Sequence, residues 1–411
     1  MEIETNSQAS HTGLDRQLLR MIMLHVGNPR VTLRLWNGEE FSVSDGKPVA
    51  CIEFRKRRAL FEMIASPTVG FGECYSKGLI EIHGDFLALA NEIATAYTRQ
   101  RDRGYWRHKF RSLLVSIRAN SLARSRHNVH HHYDLGNDFY RLWLDERMLY
   151  TCAYYEKAGA SLAEAQVAKL DHVCRKLRLE PGQTVIEAGC GWGGLALHMA
   201  EHYGVRVKAY NNSREQVVFA RQKASLRGLT DRVEFVLDDY RAIDQPCDVF
   251  VSVGMLEHVG LRNYRTLGDV INRCLKPDGL ALIHSIGRSH SRPPDPWLTK
   301  HIFPGGYIPS LGDMTAIFEP HKFSVLDIEN LRLHYARTCA EWLENFEAVS
   351  EQVAEMYSKE FVRTWRLYLA GSSAGFQSGT LQLYQVLFAP GGSSNVPWTR
   401  QYQFEPKPGT D

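Results

Sequence analysis

Glu187-Ala-Gly-Cys-Gly-Trp-Gly-Gly194 lies between a short apolar run and a helical pattern that extends to Tyr203. Glycines at the end of a strand let the backbone turn sharply and approach a ligand at the N-terminus of the next helix. A dinucleotide site would also need an acidic residue about 20 residues further on to bind the ribose. That region reads Tyr210-Asn211-Asn212-Ser213 and has no carboxylate. A nicotinamide-dependent enzyme is therefore disfavoured.

Short apolar runs alternate with helical patterns from Gln183 onward. The runs are TVIEAGCG, VRVKAY, VEFVLD, CDVFVSVG and LALIHSIG, and a last strand is predicted at TLQLYQVLFAP. Because they lack polar alternation, these strands are expected to be buried on both faces, as in a parallel sheet covered by helices. With the GCGWGG loop, this order is typical of the α/β, Rossmann-like sheet of methyltransferases that use S-adenosylmethionine (SAM).

The amino-terminal part of the chain predicts a second, smaller α+β domain over residues 21–100. Asn37-Gly38 within RVTLRLWNGEEFSV predicts a β-hairpin, because this dipeptide favours a two-residue turn. ALFEMIAS and FLALANEIATAY have helical spacing, and GLIEIHGD between them is strand-like. Residues 1–20 are predicted to be a disordered tail, 128–395 the catalytic domain and 396–411 a second tail.

Residues 101–127 are predicted to form a basic amphipathic linker helix. The stretch 99–127 carries nine Lys and Arg residues against the single acid Asp102, with Tyr105, Trp106 and Phe110 among them. Such a helix suits the surface of an anionic membrane. A solvated connecting helix is the alternative, and the residues of this stretch alone leave both open.

Bulk properties exclude several protein classes. The chain has 411 residues, 44% of them apolar, and a formal charge of +3, which is too small to imply a partner by itself. No apolar run approaches the ~20 residues needed to cross a bilayer. The eight cysteines form no CxxC pair, and the three histidines at 130–132 lack further ligands at metal-binding spacing. We therefore expect no metal and no disulfide framework.

Several chemically reactive residues follow the predicted strands. They are Asp239 and Tyr240 after the third strand, Glu257 and His258 after the fourth, His284 and Ile286 at the end of the fifth, and Tyr335 further on. Ligands bind at the carboxyl ends of strands in such sheets, so Asp239 and Tyr240 are expected to meet the adenine. A buried carboxylate beside an imidazole suits the holding or moving of protons.

Six motifs together resemble the cyclopropane-fatty-acyl-phospholipid synthase family, which includes the mycolic acid cyclopropane synthases. They are HHYDLGNDFY, LYTCAYY, VIEAGCGWGGLA, SVGMLEHVG, LIHSIG and DPWLTKHIFPGGYIPS, and the resemblance extends from about Leu24 to Pro390. It implies transfer of a SAM methyl group to the cis double bond of an unsaturated phospholipid acyl chain. A bound bicarbonate would then take a proton from the resulting carbocation, which closes the cyclopropane ring.

The resemblance also implies which residues form each site. Bicarbonate would be held by Cys152, Glu257, His284, the backbone at Ile286, and Tyr335. SAM would be bound by Tyr150, Thr151, Gly189, Gly191, Asn211, Gln216, Tyr240 and Val253. Asp239, which is expected from its position after the third strand to meet the adenine, would be part of the same site. The sequence departs from the family at Glu187, where Asp is usual, and at Tyr210, which is bulkier than the usual residue.

Other implications concern the surroundings of the reaction. The aromatic rings of Tyr154, Trp297, Phe303 and Tyr307 are candidates to stabilise the cation. The amino-terminal domain would bind lipid and support a homodimer. We therefore expect a cytoplasmic enzyme that is peripherally associated with the inner face of the membrane.

Four alternative functions remain open at this stage. A fatty-acyl methyltransferase giving branched or furan-type chains would differ only in the fate of the proton. A small-molecule N-methyltransferase would need no bicarbonate. A non-catalytic lipid-binding protein would have kept only the fold. A nucleic-acid methyltransferase is disfavoured, because GMLEH stands where its Asn/Asp-Pro-Pro-aromatic motif would follow the fourth strand, and no nucleic-acid partner is expected.

Overall fold

A computed structural model of the protein describes residues 4–44, 46–66, 69–100 and 135–405. The predicted basic linker helix at 101–127 and the three histidines at 130–132 lie outside these residues. Two compact units divide the chain. The first unit comprises Met1–Phe110, Asp295–Ile302 and Cys339–Thr380, and the second comprises Arg111–Pro294, Phe303–Thr338 and Leu381–Asp411.

The first unit contains a four-stranded sheet in the order β2-β1-β3-β4. Its strands are β1 (Val31–Arg34), β2 (Glu40–Phe41), β3 (Ala50–Phe54) and β4 (Ile80–Gly84). Strand β1 pairs antiparallel with β2 and parallel with β3. The predicted hairpin is confirmed, and Gly38 in its turn has a φ of 85° that favours glycine.

Helices cover this sheet. They are Glu4–His25, Arg57–Ala65, Gly70–Ser76, Phe86–Gln100, Pro296–His301, Ser350–Met356 and Lys359–Ser378. The unit therefore uses residues 339–380, which the sequence assigned to the catalytic domain 128–395. The apolar faces of the helices in this range do not indicate in the sequence which of the two sheets they pack against. In the structure, Leu367 packs against the core of the first unit.

The amino-terminal segment is not the disordered tail predicted over residues 1–20, since a helix extends from Glu4 to His25. Its Leu19 and Met23 are buried in the core of the first unit. Buried Asp15 forms an ion pair with Arg57 at 3.0 Å. The polar composition of this segment concealed a short apolar stripe, which becomes helical by packing.

The second unit contains a seven-stranded sheet in the order β10-β11-β9-β8-β5-β6-β7. Its strands are β5 (Thr184–Ala188), β6 (Arg206–Asn211), β7 (Val233–Leu237), β8 (Cys247–Val253), β9 (Leu275–Gly287), β10 (Phe323–Asn330) and β11 (Gln382–Pro390). Strands β5 to β9 are mutually parallel, and β11 is antiparallel to both β9 and β10. The predicted fold class is confirmed. The bounds of the edge strand β10 were not predicted, because its apolar Val325 and Ile328 are exposed while its Asp327 is buried.

Helices cover both faces of the large sheet. They are Gly136–Arg141, Leu162–Lys176, Gly194–Tyr203, Arg214–Leu226, Leu256–Val259, Tyr264–Cys274 and Leu311–Phe318, and Arg332–Ala348 begins in this unit. Separate apolar clusters fill the two layers between sheet and helices. Among the described helices, none is long and apolar enough to cross a membrane.

Candidate active site

A pocket opens at the carboxyl edge of β5, β6 and β8, where the glycine-rich loop leaves the sheet. Its lining includes Met148–Thr151, Lys169, Glu187, Gly189–Trp192, Tyr210–Asn212, Gln216, Asp238, Tyr240, Val253–Met255 and His258. This is the edge at which sheets of this kind bind ligands.

The loop itself requires glycine. Gly189 has a φ of 83°, and a Cβ at this position would lie 2.7 Å from Cβ of Met255. The backbone N–H of Gly189 donates to the carbonyl of Tyr210 at 2.9 Å, which ties the loop to the end of β6. Asn211 Nδ2 donates to the carbonyl of Gly191 at 3.0 Å. These contacts hold the loop open around the pocket.

Eight of the nine residues predicted to bind SAM line this pocket. They are Tyr150, Thr151, Gly189, Gly191, Asn211, Gln216, Tyr240 and Val253. Asp239 does not, because its buried carboxylate accepts hydrogen bonds from Arg241 at 2.6 and 2.9 Å and from Asn212 at 3.2 Å. Its neighbour Asp238 lines the pocket instead. Nothing in the sequence distinguishes which of the two adjacent carboxylates faces inward.

Lys169 is a pocket residue that the sequence analysis missed. Its Nζ donates to Thr151 Oγ1 at 2.8 Å, and the side chain is buried. Burial lowers the pKa of Lys169, whereas burial raises the pKa of the nearby Glu187, and the two charges attract each other. One feature of the sequence could have revealed Lys169. It is a lysine on the apolar face of the helix Leu162–Lys176, between apolar residues at helical spacing.

Aromatic rings form one wall of the pocket. The short helix Gly136–Arg141 supplies Tyr140, whose ring centroid lies 5.4 Å from that of Tyr150 and 5.0 Å from that of Trp192. Trp192 Nε1 donates to Asn137 Oδ1 at 2.7 Å. The described part of the HHYDLGNDFY motif thus contacts two pocket residues.

Glu257 and Ile286 meet beside the pocket. The backbone N–H of Ile286, at the end of β9, donates to Glu257 Oε1 at 2.6 Å. The backbone carbonyl of Glu257 accepts from Tyr307 N at 2.8 Å. On the same strand, the carbonyl of His284 accepts at 2.9 Å from the N–H of Gly254, which itself lines the pocket.

Cys152 and Tyr335 join this group through Leu331. The carbonyl of Leu331 accepts from Tyr335 N at 3.1 Å and lies 3.9 Å from Cys152 Sγ. Leu331 N donates to the carbonyl of Leu383, whose strand neighbour is Ile286. Backbone contacts therefore link the segments that carry the five residues expected to hold bicarbonate.

Burial controls the charges of these groups. It raises the pKa of Glu257 to about 7 and lowers the pKa of His284 to about 3 and that of His258 to about 4. Both imidazoles are thus neutral near pH 7. In the described part of the chain, no hydrogen-bond partner meets Glu257 Oε2 or His284 Nε2, although both atoms are buried. A buried polar atom without a protein partner is a place where a ligand or a water molecule can bind.

Two of the four aromatic candidates are engaged elsewhere. The ring of Tyr154 stacks on the imidazoles of His172 and His334, at centroid distances of 4.1 and 4.8 Å. Trp297 belongs to the first unit, where its indole packs against Gly72. These contacts argue against both rings as stabilisers of a cation.

The other two aromatic candidates lie in the second unit. The ring of Phe303 lies 5.9 Å from that of His258, which lines the pocket. The hydroxyl of Tyr307 donates to Asp313 at 3.0 Å and lies 2.9 Å from that of Ser291. Phe303 is therefore the candidate whose position fits best.

Two family models match the chain. The family described as mycolic acid cyclopropane synthetase matches residues 120–386. A family described only as a domain of unknown function matches residues 18–103. Together they follow the order of the predicted catalytic and amino-terminal domains.

Known proteins give the same assignment. The chain is 33% identical over 384 residues to a probable fatty acid methyltransferase of Pseudomonas putida, covering 90% of this chain and 95% of that one. It is 42% identical over 261 residues to the cyclopropane-fatty-acyl-phospholipid synthase of Escherichia coli K12, covering 63% and 67%. The structure of the mycolic acid cyclopropane synthase CmaA1 with SAH and CTAB matches with a TM-score of 0.61 at 31% identity, covering 64% and 97%.

The family model covers more than half of the chain, and the Pseudomonas relative is covered almost completely. The sequence motifs, the SAM-type sheet and the glycine loop agree with both. The chain therefore belongs to the mycolic acid cyclopropane synthetase family of SAM-dependent methyltransferases.

Proposed function

We propose that the protein transfers a methylene group from SAM to the cis double bond of unsaturated phospholipid acyl chains, forming a cyclopropane fatty acid. The observation that carries this proposal is the pair of buried, unpartnered polar atoms Glu257 Oε2 and His284 Nε2 beside the cofactor pocket. Ring closure needs a base that takes a proton from the methylated acyl chain, and these two atoms could hold such a base.

The residues of the pocket fit SAM. Backbone groups of the glycine loop can approach the ligand closely, and Asn211 and Gln216 provide amides at the end of β6. The amino-acid end of SAM carries one positive and one negative group. Lys169 and Glu187, which lie in the same pocket, offer a hydrogen-bond donor and an acceptor for these two groups. SAM, when bound, supplies the methyl group of the reaction.

The residues beside the pocket fit bicarbonate, which, when bound, supplies the base that accepts the proton. Glu257 offers a carboxylate oxygen for an O–H donor. Cys152, His284 and Tyr335 carry groups able to donate to an anion. All four side chains are largely buried, so water is excluded from the place where the proton leaves.

An alkene is a poor nucleophile, so the protein must align the double bond with the reactive methyl group in a dry pocket. The aromatic wall around Tyr150 and Trp192 restricts the space on one side. The ring of Phe303 offers a π face that can stabilise positive charge near His258.

The proposed partner is the membrane surface. The helix Glu4–His25 exposes Leu14, Met21 and Leu24 on the side away from buried Leu19 and Met23, and such an apolar stripe supports contact with lipid. The basic composition of residues 101–127 supports an anionic surface. We further propose a homodimer that acts at the inner face of the membrane from the cytoplasm.

A fatty-acyl methyltransferase that gives branched or furan-type chains is the second candidate. The relative from Pseudomonas putida, described as a probable fatty acid methyltransferase, favours it, because the match covers 95% of that protein. The two reactions share the methyl transfer and differ in which proton is lost afterwards.

The product decides between these candidates. Purified protein is incubated with SAM and vesicles of a cis-monounsaturated phospholipid, and vesicles of a saturated phospholipid serve as the control. High-field cyclopropane proton signals, with the mass gain of one methylene group, would support the proposal. The same mass gain without ring protons would mean a branching methyltransferase. If no lipid product formed, amine substrates would be tested next.

Replacing Cys152 with serine is expected to make turnover depend on added bicarbonate. Cys152 is fully buried, and its Sγ lies 3.1 Å from the carbonyl oxygen of Ala153. The shorter hydroxyl group of serine would stay hydrogen-bonded to this carbonyl and so lose its contact with the bound anion. Loss of one hydrogen bond, worth about 0.5–1.5 kcal/mol, predicts roughly 2- to 10-fold lower turnover at limiting bicarbonate. Excess bicarbonate should partly restore it.

The matched control is Cys174→Ser, which alters an equally buried thiol in the apolar core. It is expected to lower the stability of the fold but not to change the response of turnover to bicarbonate. Indifference of Cys152→Ser to bicarbonate would favour the N-methyltransferase alternative.

A further inference from the structure

A row of polar side chains crosses three adjacent strands of the large sheet. Gln385 on β11 pairs with His284 on β9 and, on its other side, with Glu329 on β10. Residues directly opposite each other in antiparallel strands project from the same face. Within this row, the side chains of His284 and Gln385 are buried. The row therefore extends from the bicarbonate-site candidate His284 to the edge of the sheet.

The Gln385 amide contacts one ring nitrogen of His284. Its Nε2 lies 3.1 Å from His284 Nδ1, and an amide NH2 group can only donate, so Nδ1 accepts. Burial lowers the pKa of His284 to about 3, so the ring is neutral and holds a single proton. That proton must then be on Nε2.

Glu329 could compete for the amide hydrogens of Gln385, because it lies directly opposite on the neighbouring strand. Its carboxylate is instead engaged by the helix Leu162–Lys176. Glu329 Oε2 lies 2.6 Å from Lys176 Nζ and 2.7 Å from His172 Nε2. With its charge balanced by these groups, Glu329 leaves the Gln385 amide turned toward His284.

We infer that Gln385 is a positioning residue that fixes His284 in the tautomer with its proton on Nε2, and so presents a buried N–H donor to the bound anion. This inference rests on the proposed function, in which His284 meets bicarbonate. Among the described residues, none accepts a hydrogen bond from Nε2. In the opposite tautomer a lone pair would face the anion and repel it.

The tautomer is measured directly by NMR of the full-length protein labelled with ¹⁵N-histidine, with the His284 signals assigned by their loss in His284→Gln. In the wild type, Nδ1 is expected at the chemical shift of an unprotonated nitrogen and Nε2 at that of a protonated one. Gln385→Leu should move both shifts toward each other, because the ring then samples both tautomers. Gln385→Glu should place a proton on Nδ1, since a carboxylate accepts hydrogen bonds.

Turnover provides the second readout. Gln385→Leu is expected to lower kcat about 10- to 100-fold, the range found when a partner that orients a functional histidine is removed, with the KM for SAM unchanged. Gln403→Leu replaces another buried glutamine, whose amide contacts Tyr402, and controls for the loss of a buried amide. In Gln403→Leu, the ¹⁵N chemical shifts of the His284 ring should equal those of the wild type.

The outcomes separate the two proposals. A wild-type ring with its proton on Nδ1, or shifts that do not change in Gln385→Leu, would overturn the inference. Changed shifts with unchanged turnover would support the role of Gln385 in orienting the ring but contradict the role of His284 in the proposed function.

Discussion

Replacing Glu257 with glutamine is expected to lower the turnover of phospholipid by about 100-fold or more, the range associated with loss of a group that handles a proton. Glu257 accepts the N–H of Ile286 through Oε1 and keeps Oε2 buried without a partner among the described residues. An amide would turn a donor either toward Ile286 N–H or toward the bound anion. One acceptor is lost in both orientations, while the residues around SAM are unchanged.

The pH profile provides a specific signature. Burial raises the pKa of Glu257 to about 7, so the carboxyl becomes ionised only above that pH. In the wild type, kcat/KM for lipid should rise with pH through about 7. Glu257→Gln should lack this rise, and calorimetry should show SAM affinity close to that of the wild type. An unchanged pH profile in the variant would contradict the assignment.

Stability provides an independent test of the same pKa. The folded-state pKa of Glu257 lies above the ordinary value of 4.5, so between pH 4.5 and about 7 the folded protein holds a proton that the unfolded chain has released. The contribution of this group to the free energy of unfolding therefore falls as pH rises through that window, by at most about 1.4 kcal/mol per pH unit. Urea unfolding should show that the free energy of unfolding falls less between pH 4.5 and about 7 in Glu257→Gln than in the wild type.

Replacing Gly189 with alanine is expected to weaken SAM binding by about 10- to 100-fold, which corresponds to about 1.4–2.8 kcal/mol. Its φ of 83° is strained for any L-residue, and the new Cβ would approach Met255 Cβ to 2.7 Å. Met255 lines the pocket, so its displacement would move a wall of the cofactor site. Calorimetric titration with SAM measures the effect.

Gly182 offers a closely matched control. Its φ is 85°, almost the same as at Gly189, but nothing lies within 4 Å of the Cβ that alanine would add. Both variants should lose about 1–2 kcal/mol of stability from the backbone alone. Only Gly189→Ala should lose SAM affinity. Equal affinities in the two variants would mean that the close approach to Met255 is relieved without disturbing the pocket.

Regular patterns made much of the fold predictable. Strands β5 and β8 are largely apolar because both of their faces are buried in the middle of the parallel sheet. The chain order of strands and helices then places the glycine loop at the carboxyl end of β5. Strand β10 and the helix Glu4–His25 did not follow such patterns. Each gains its place from packing against residues distant in the sequence.

The site was predictable only in part. Eight residues that the family resemblance assigns to SAM line the pocket. Five of them follow or end a parallel strand, where ligands bind in such sheets: Gly189, Gly191, Asn211, Tyr240 and Val253. Asp239 pairs with Arg241 and does not line the pocket, and the ring of Tyr154 stacks on two histidine rings. Lys169 was missed because a lone lysine in an amphipathic helix is usually exposed.

The sequence by itself determined the family, the α/β class and the edge of the sheet where the chemistry takes place, because these depend on periodicity and on motifs within short segments. Only the tertiary structure decided that Gln385 faces His284, that Lys169 faces the cofactor pocket and that Glu257 Oε2 has no partner among the described residues. The physical reason is that strand register and helix packing decide which polar atoms meet, and therefore which protons and charges burial permits.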